Sequence, residues 1–187
     1  NRIGGFKERT KESICNWTAA NLLMPPNFVS EHIRKQGISF DSARIIAAIC
    51  DVSLTAALVQ LSRIGSDCHT VIFWRLKNKP SETKKKPNAG QLFLEGFVSQ
   101  DLEPPKKLRV EWALGGLSSL YIPKDKSIDD SSIIYKACES GNFTSGFEKL
   151  TFDERNYFWF RTENLPFRIN NEQMIISLVE KLEDDPI

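Results

Sequence analysis

The sequence contains no apolar run near the roughly 18 residues that a bilayer span requires, and no charged-then-apolar leader opens it. It also lacks a dominant charge: 25 Lys and Arg stand against 24 Asp and Glu in 187 residues, so no strong overall field draws it to nucleic acid. A general polyanion binder is thereby disfavoured, and the expectation is a soluble, cytoplasmic chain. Cysteine is sparse. Cys15, Cys50, Cys68 and Cys138 form no close pairs, which points to buried free thiols rather than a disulfide frame. Histidine is sparser still, with only His32, which reads as a surface residue, and His69, which closes the helical part. A zinc site on Cys68 and His69 would need further ligands at short spacing, and none is there. What the chain does have is 41% hydrophobic residues, enough to bury a core of its own.

Composition changes near residue 70 and divides the chain into a helical part, 1–70, and a strand-rich part, 71–187. Residues 7–24 place Ile14, Cys15, Thr18, Ala19, Leu22 and Leu23 at 3-and-4 spacing, which predicts a helix with one buried face ended by Pro25-Pro26. A shorter helix follows from Pro26 to about Lys35, with Gly37 placed to close it. Residues 40–50 and 54–64 then read as two short helices. Ser39 or Asp41 would cap the first and Ser53 the second, and Val52 would be buried in the turn, as in a helix-turn-helix pair.

From Val71 the period moves towards two, with strands expected at 71–77, 91–99, 108–114, 133–137, 146–152 and 157–163. The polar run 78–88 reads as a mobile hairpin loop. A stripe of Met174, Ile175, Leu178, Val179 and Leu182 predicts a final helix over 171–183. The fold class is therefore α+β: a helical unit with a helix-turn-helix-like pair, then a mostly antiparallel sheet with a C-terminal helix. One face of that sheet would be left for a pocket or a partner, lined by Phe93, Phe97, Trp112, Tyr135, Phe158 and Phe160 if those rings are not core. The charged Glu95, Arg109, Glu111, Arg161 and Glu163 alternate with them and are expected to face outward.

The most specific stretch is Glu12-Ser13-Ile14-Cys15-Asn16 followed by Ala19-Ala20-Asn21-Leu22-Leu23-Met24-Pro25, then the Val52-Ser53 turn and Arg63-Ile64-Gly65 at a helix end. This resembles the region downstream of the zinc site in ImmA/IrrE-like metallopeptidases, over about the first third of the chain. In the resemblance Glu12 matches the carboxylate metal ligand and Asn16 a residue that orients ligands behind it. Taken alone, Glu12 is a solvated helix carboxylate. The chain has no His-Glu-x-x-His helix, so it lacks two ligands and the general base of such a peptidase and is expected to be inactive by itself. Asn1-Arg2-Ile3-Gly4-Gly5 does not read as a natural start, and the missing peptidase segment is expected upstream on a longer polypeptide, the alternative being a branch that has lost the activity. Tyr121-Ile122-Pro123, Ser132-Ile133-Ile134-Tyr135 and Gly146-Phe147-Glu148 look like a GAF-like tail domain of the same family.

The resemblance implies regulated proteolysis of a protein substrate such as a transcriptional repressor, with zinc bound only in the intact precursor. The alternative is a non-enzymatic sensing or protein-interaction module. Duplex DNA recognition is not expected. The helix from Leu54 offers only Thr55, Gln60 and Arg63 among apolar side chains, too few donors and charges for base edges and phosphates.

Overall fold

The computed structural model describes residues 8–65, 67–83, 105–115, 121–152 and 156–186. Four helices come first: α1 (Glu8–Leu23), α2 (Pro26–Gln36), α3 (Phe40–Cys50) and α4 (Leu54–Gly65). Then follow β1 (His69–Lys77), the single turn α5 (Pro80–Thr83), β2 (Lys107–Gly115), α6 (Ile133–Ser140), β3 (Thr144–Leu150), β4 (Phe158–Ile169) and β5 (Glu172–Lys181). The class is α+β, with helices leading and an antiparallel sheet following. Among the described residues no single helix is long and apolar enough to cross a membrane.

The helical boundaries follow local chemistry. Pro26 opens α2, where its missing N–H costs nothing, and Gly37 closes it at φ +74°. Ser39 caps α3 by accepting the Ser42 amide at 3.1 Å, so Ser39 rather than Asp41 is the cap. Asp51 ends α3 in the left-handed region, Ser53 accepts the Ala56 amide at 3.2 Å, and the chain bends by 114° between α3 and α4. That bend lies within the range of a helix-turn-helix pair.

All strand pairs are antiparallel, and the sheet order is β2-β1-β5-β4-β3. Two expectations are overturned. Residues 133–137, expected as a strand, lie in α6: Ser132 caps it by accepting the Ile134 amide at 3.1 Å, and Gly141 closes it at φ +66°. Its buried Ile134, Ala137 and Cys138 recur at helical spacing. Residues 171–183, expected as a helix, hold β5, a central strand between β1 and β4. Asn170 and Asn171, at φ 49° and 64°, make the two-residue turn that reverses β4 into β5. The run Met174-Ile175-Ile176-Ser177-Leu178-Val179 is apolar on both sides because both faces of the sheet are covered. Pro166 is tolerated inside β4 because it lies past Asn164, the last residue paired with β3. The strand expected at 91–99 and residues 84–88 of the polar run lie outside the described residues. Within that run, Pro80–Thr83 form the turn α5.

Two cores flank the sheet. On one side Phe40, Ala43, Ile46, Leu58 and Leu61 from α3 and α4 pack on Val71, Phe73, Ile176 and Leu178. On the other, Ile134 and Ala137 of α6 pack on Ile72, Trp74, Phe160, Ile175 and Val179. Each fully buried Leu, Ile or Phe among these contributes on the order of 1.5–3 kcal/mol. The side chains on either side of the composition change near residue 70 thus share one of the two cores.

Candidate functional site

Covering both faces has a chemical consequence, since polar side chains on either face must find partners inside the protein. On the α3 face, Glu163 is only 9% exposed, and its Oε2 accepts the Phe40 amide at 2.8 Å, at the first turn of α3. Its Oε1 takes the Arg161 guanidinium at 3.3 Å. Arg161 also lies 3.8 Å from Glu180, whose other oxygen is 3.7 Å from His69 Nε2. His69, Glu180 and Arg161 are register partners across β1, β5 and β4, forming one row. Burial pushes the His69 imidazole below its ordinary pKa; Glu180 opposes that shift and Arg161 adds to it.

On the α6 face a hydrogen-bonded chain crosses four strands. Trp74 Nε1 donates to Ser177 Oγ at 2.9 Å, and Ser177 donates to Asn164 Oδ1 at 2.6 Å. Asn164 Nδ2 donates to Thr162 at 3.1 Å, Thr162 to Glu148 at 3.3 Å, and Glu148 Oε2 receives Ser132 Oγ and the Ile133 amide at the start of α6. Glu148 therefore does for α6 what Glu163 does for α3.

Beside this chain a cleft of about 870 Å3 opens between the N-terminal end of α6, the second half of β3 and the segment 126–132. Trp74 and Phe152 form part of its lining, their rings 6.4 Å apart and nearly parallel. Segment 125–128 is strapped to β2, with Val110 donating to Lys126 O at 2.9 Å and Ile128 to Leu108 O at 3.1 Å. Arg109 adds a bond to Asp125 O at 3.0 Å. Across β1 and β2, the Lys77 ammonium lies 2.5 Å from Glu111 and 2.6 Å from Asp125. Burial works to lower its pKa, but the two carboxylates outweigh it and hold it above the ordinary value.

The expected metal residues lie elsewhere. Glu12 and Asn16 are four apart on α1, hence on one face, and both are exposed. Neither has a hydrogen-bond or ionic partner among the described residues. The expected buried stripe of α1 is overturned: its Ile14, Leu22 and Leu23 are 49–76% exposed, as is the neighbouring Trp17, because no described element packs over them. The end of the helix is anchored by buried Met24 and by Gln60 donating to Asn21 at 3.0 Å and to Met24 O at 3.3 Å. Among the described residues no three potential metal-ligating side chains converge. Glu12 is one donor, and the described residues by themselves do not fit a zinc ion.

Other expectations are overturned in the same way. Arg109 and Glu163, expected to face outward, are buried, and Glu95 lies outside the described residues. His32, expected on the surface, is half-buried, with its Nε2 enclosed and unpaired. Of the cysteines only Cys138 is buried; Cys15 is exposed. Burial pushes the Cys138 and Cys50 thiols up, away from the reactive thiolate. Gln60, one of three polar side chains counted for base reading on α4, is spent inside the fold. Of the rings weighed for a pocket, Phe160 is core and Trp112 stacks on Phe73 at 3.9 Å, while Phe158 lies under the Lys181 ammonium at 4.0 Å. Tyr135 is half-buried on α6, and Phe93 and Phe97 lie outside the described residues. The cleft is bordered instead by Trp74, Phe147, Phe152 and Tyr157. Compared with protein-family models and with curated protein sequences, the chain matches none.

Proposed function

We propose that this chain is the C-terminal, non-catalytic portion of an ImmA/IrrE-like zinc metallopeptidase that cleaves a transcriptional repressor in a regulated response. The observation that carries this reading is the state of α1. It presents Glu12 and Asn16 together on an exposed face, beside exposed Trp17 and Ile14, while its other end is fixed to the helical layer through Asn21, Met24 and Gln60. Such a helix is poised to complete a coordination sphere and an apolar contact supplied by another segment. The quoted Ala-Ala-x-Leu-Leu-Met-Pro string and the bent α3–α4 pair support the same family. In this reading residues 71–187 are the GAF-like sensor portion, for which the antiparallel sheet backed by α6 speaks. The chain alone is inactive, because it holds neither the paired histidines nor the general base.

Metal analysis of the full product of the gene tests the assignment. About one zinc per chain is expected in that product, with occupancy collapsing in Glu12→Gln. Unchanged occupancy in the variant, or a gene with no His-Glu-x-x-His helix ahead of Asn1, overturns it. One observation favours the second reading, a sensing module without catalysis: the cleft beside α6, whose polar lining connects through Glu148 to the sheet interior. A gene without the histidine pair, together with a ligand that raises the melting temperature, would decide for that reading.

A further inference from the structure

The row of His69, Glu180 and Arg161 runs on through Glu163, two residues further along β4, to the backbone of α3. While the imidazole is neutral, two carboxylates face one guanidinium, and the group holds one unmatched negative charge. Its contacts are graded in length. Glu163 holds the Phe40 amide at 2.8 Å and Arg161 at 3.3 Å. The Arg161–Glu180 and His69–Glu180 separations, 3.8 and 3.7 Å, exceed hydrogen-bond length and are ionic contacts only. A cavity of about 10 Å3 among Ile38, His69, Arg161, Glu163, Leu178 and Glu180 leaves these side chains slack to shift.

From β5 the imidazole faces Glu180, and from β4 it faces Arg161 with Glu163 behind it. β2 sets Leu114 and Gly115 beside this end of β1, and the helical layer contributes Ile38, none of them charged. Protonation changes the balance of this row. The imidazolium takes a share of Glu180 and repels the Arg161 guanidinium, the same repulsion that helps to depress the His69 pKa. Arg161 is 49% exposed and can swing, and Glu163 lies within its reach. Closer pairing there draws charge from Glu163 Oε2 and weakens its bond to the Phe40 amide. We propose that His69 is a proton-sensitive switch on the start of α3, relayed through Arg161 and Glu163, and that protonation loosens the first turn of that helix. The proposal rests on the sheet and α3 and stands whether or not Glu12 binds a metal.

Two-dimensional NMR of the 187-residue chain between about pH 7.5 and 5 tests it. The Phe40 amide proton should move upfield with the same midpoint as the His69 imidazole, and its hydrogen-exchange protection should fall about threefold or more over that step. In His69→Gln the step should vanish. In Arg161→Gln the imidazole should still titrate while Phe40 no longer follows, an outcome that the bare field of an imidazolium would not produce. The Ile133 amide, held by Glu148 on the opposite face, should show no step. A His69 that stays neutral over the whole range overturns the proposal, as does a Phe40 amide that ignores its titration. A Phe40 step that persists in either variant, or is matched at Ile133, overturns it too.

Discussion

Glu163 on β4 accepts the backbone N–H of Phe40 at 2.8 Å, so a sheet carboxylate separated by 123 positions closes the first turn of α3. Ser39 satisfies the Ser42 amide of the same turn, and the two acceptors divide the open donors between them. The negative charge also lies at the positive end of the helix.

Replacing Glu163 by alanine should therefore cost about 1–3 kcal/mol, because a buried amide loses its acceptor. Glu163→Gln keeps an acceptor oxygen and should cost less. Urea unfolding of both variants measures the difference, and an alanine variant as stable as the parent would show that the contact carries no net free energy.

His69 makes stability depend on pH. Burial lowers its folded pKa, so the unfolded chain binds the extra proton more readily. Its contribution is fully present above the unfolded value of roughly 6.5 and is lost as pH falls from there towards the lowered folded value. Unfolding free energies at a series of pH values should fall less steeply in His69→Gln than in the parent below neutrality. Identical slopes would mean that Glu180 cancels the burial effect.

Asn164 is the branch point of the chain from Trp74 to Glu148. Asn164→Ala leaves the Ser177 hydroxyl without its buried acceptor and should cost about 1–3 kcal/mol. Near-ultraviolet circular dichroism should change with it, since Trp74 donates to Ser177. A variant with parental stability and spectrum would show that the links act independently.

Gly115, at φ +149°, ends β2 opposite Thr70. A Cβ there would lie 2.7 Å from Thr70 Cα and 2.8 Å from His69 O, both backbone atoms that cannot rotate aside. Gly115→Ala is expected to lose about 1–3 kcal/mol. Gly65→Ala, whose Cβ would meet only the side chains of Ile38 and Ile33, which can move, should lose less. The reverse order in a denaturation series would refute the account.

The helical half was readable because its punctuation is local: Pro26, Gly37, Ser39 and Ser53 act within a turn of where they stand. The class of the sheet half was readable too, and β1, β2, β3 and β4 fall where alternation places strands. Two elements were exchanged for a shared reason. An apolar run such as 174–179 has no unique period when both faces of its strand are covered, and the Asn170-Asn171 turn was the signal that could have decided it. In α6, the β-branched pair Ile133-Ile134 concealed a helix that Ser132 and Gly141 bracket. The cleft was hidden more deeply. Its lining comes from β1, β2, the segment before α6, α6 itself and β3, and only the topology brings these together.

Glu148 and Glu163 sit on adjacent strands and reach in opposite directions, each gripping the start of a different helix. Sliding β3 along β4 by two residues would keep every side chain on its own face, yet would carry Glu148 about 7 Å from the α6 backbone. The alignment of these two strands is thus pinned by helices above and below, rather than by the ladder alone. A strand added beside β3, the last of the sheet among the described residues, would have to conform to that fixed frame.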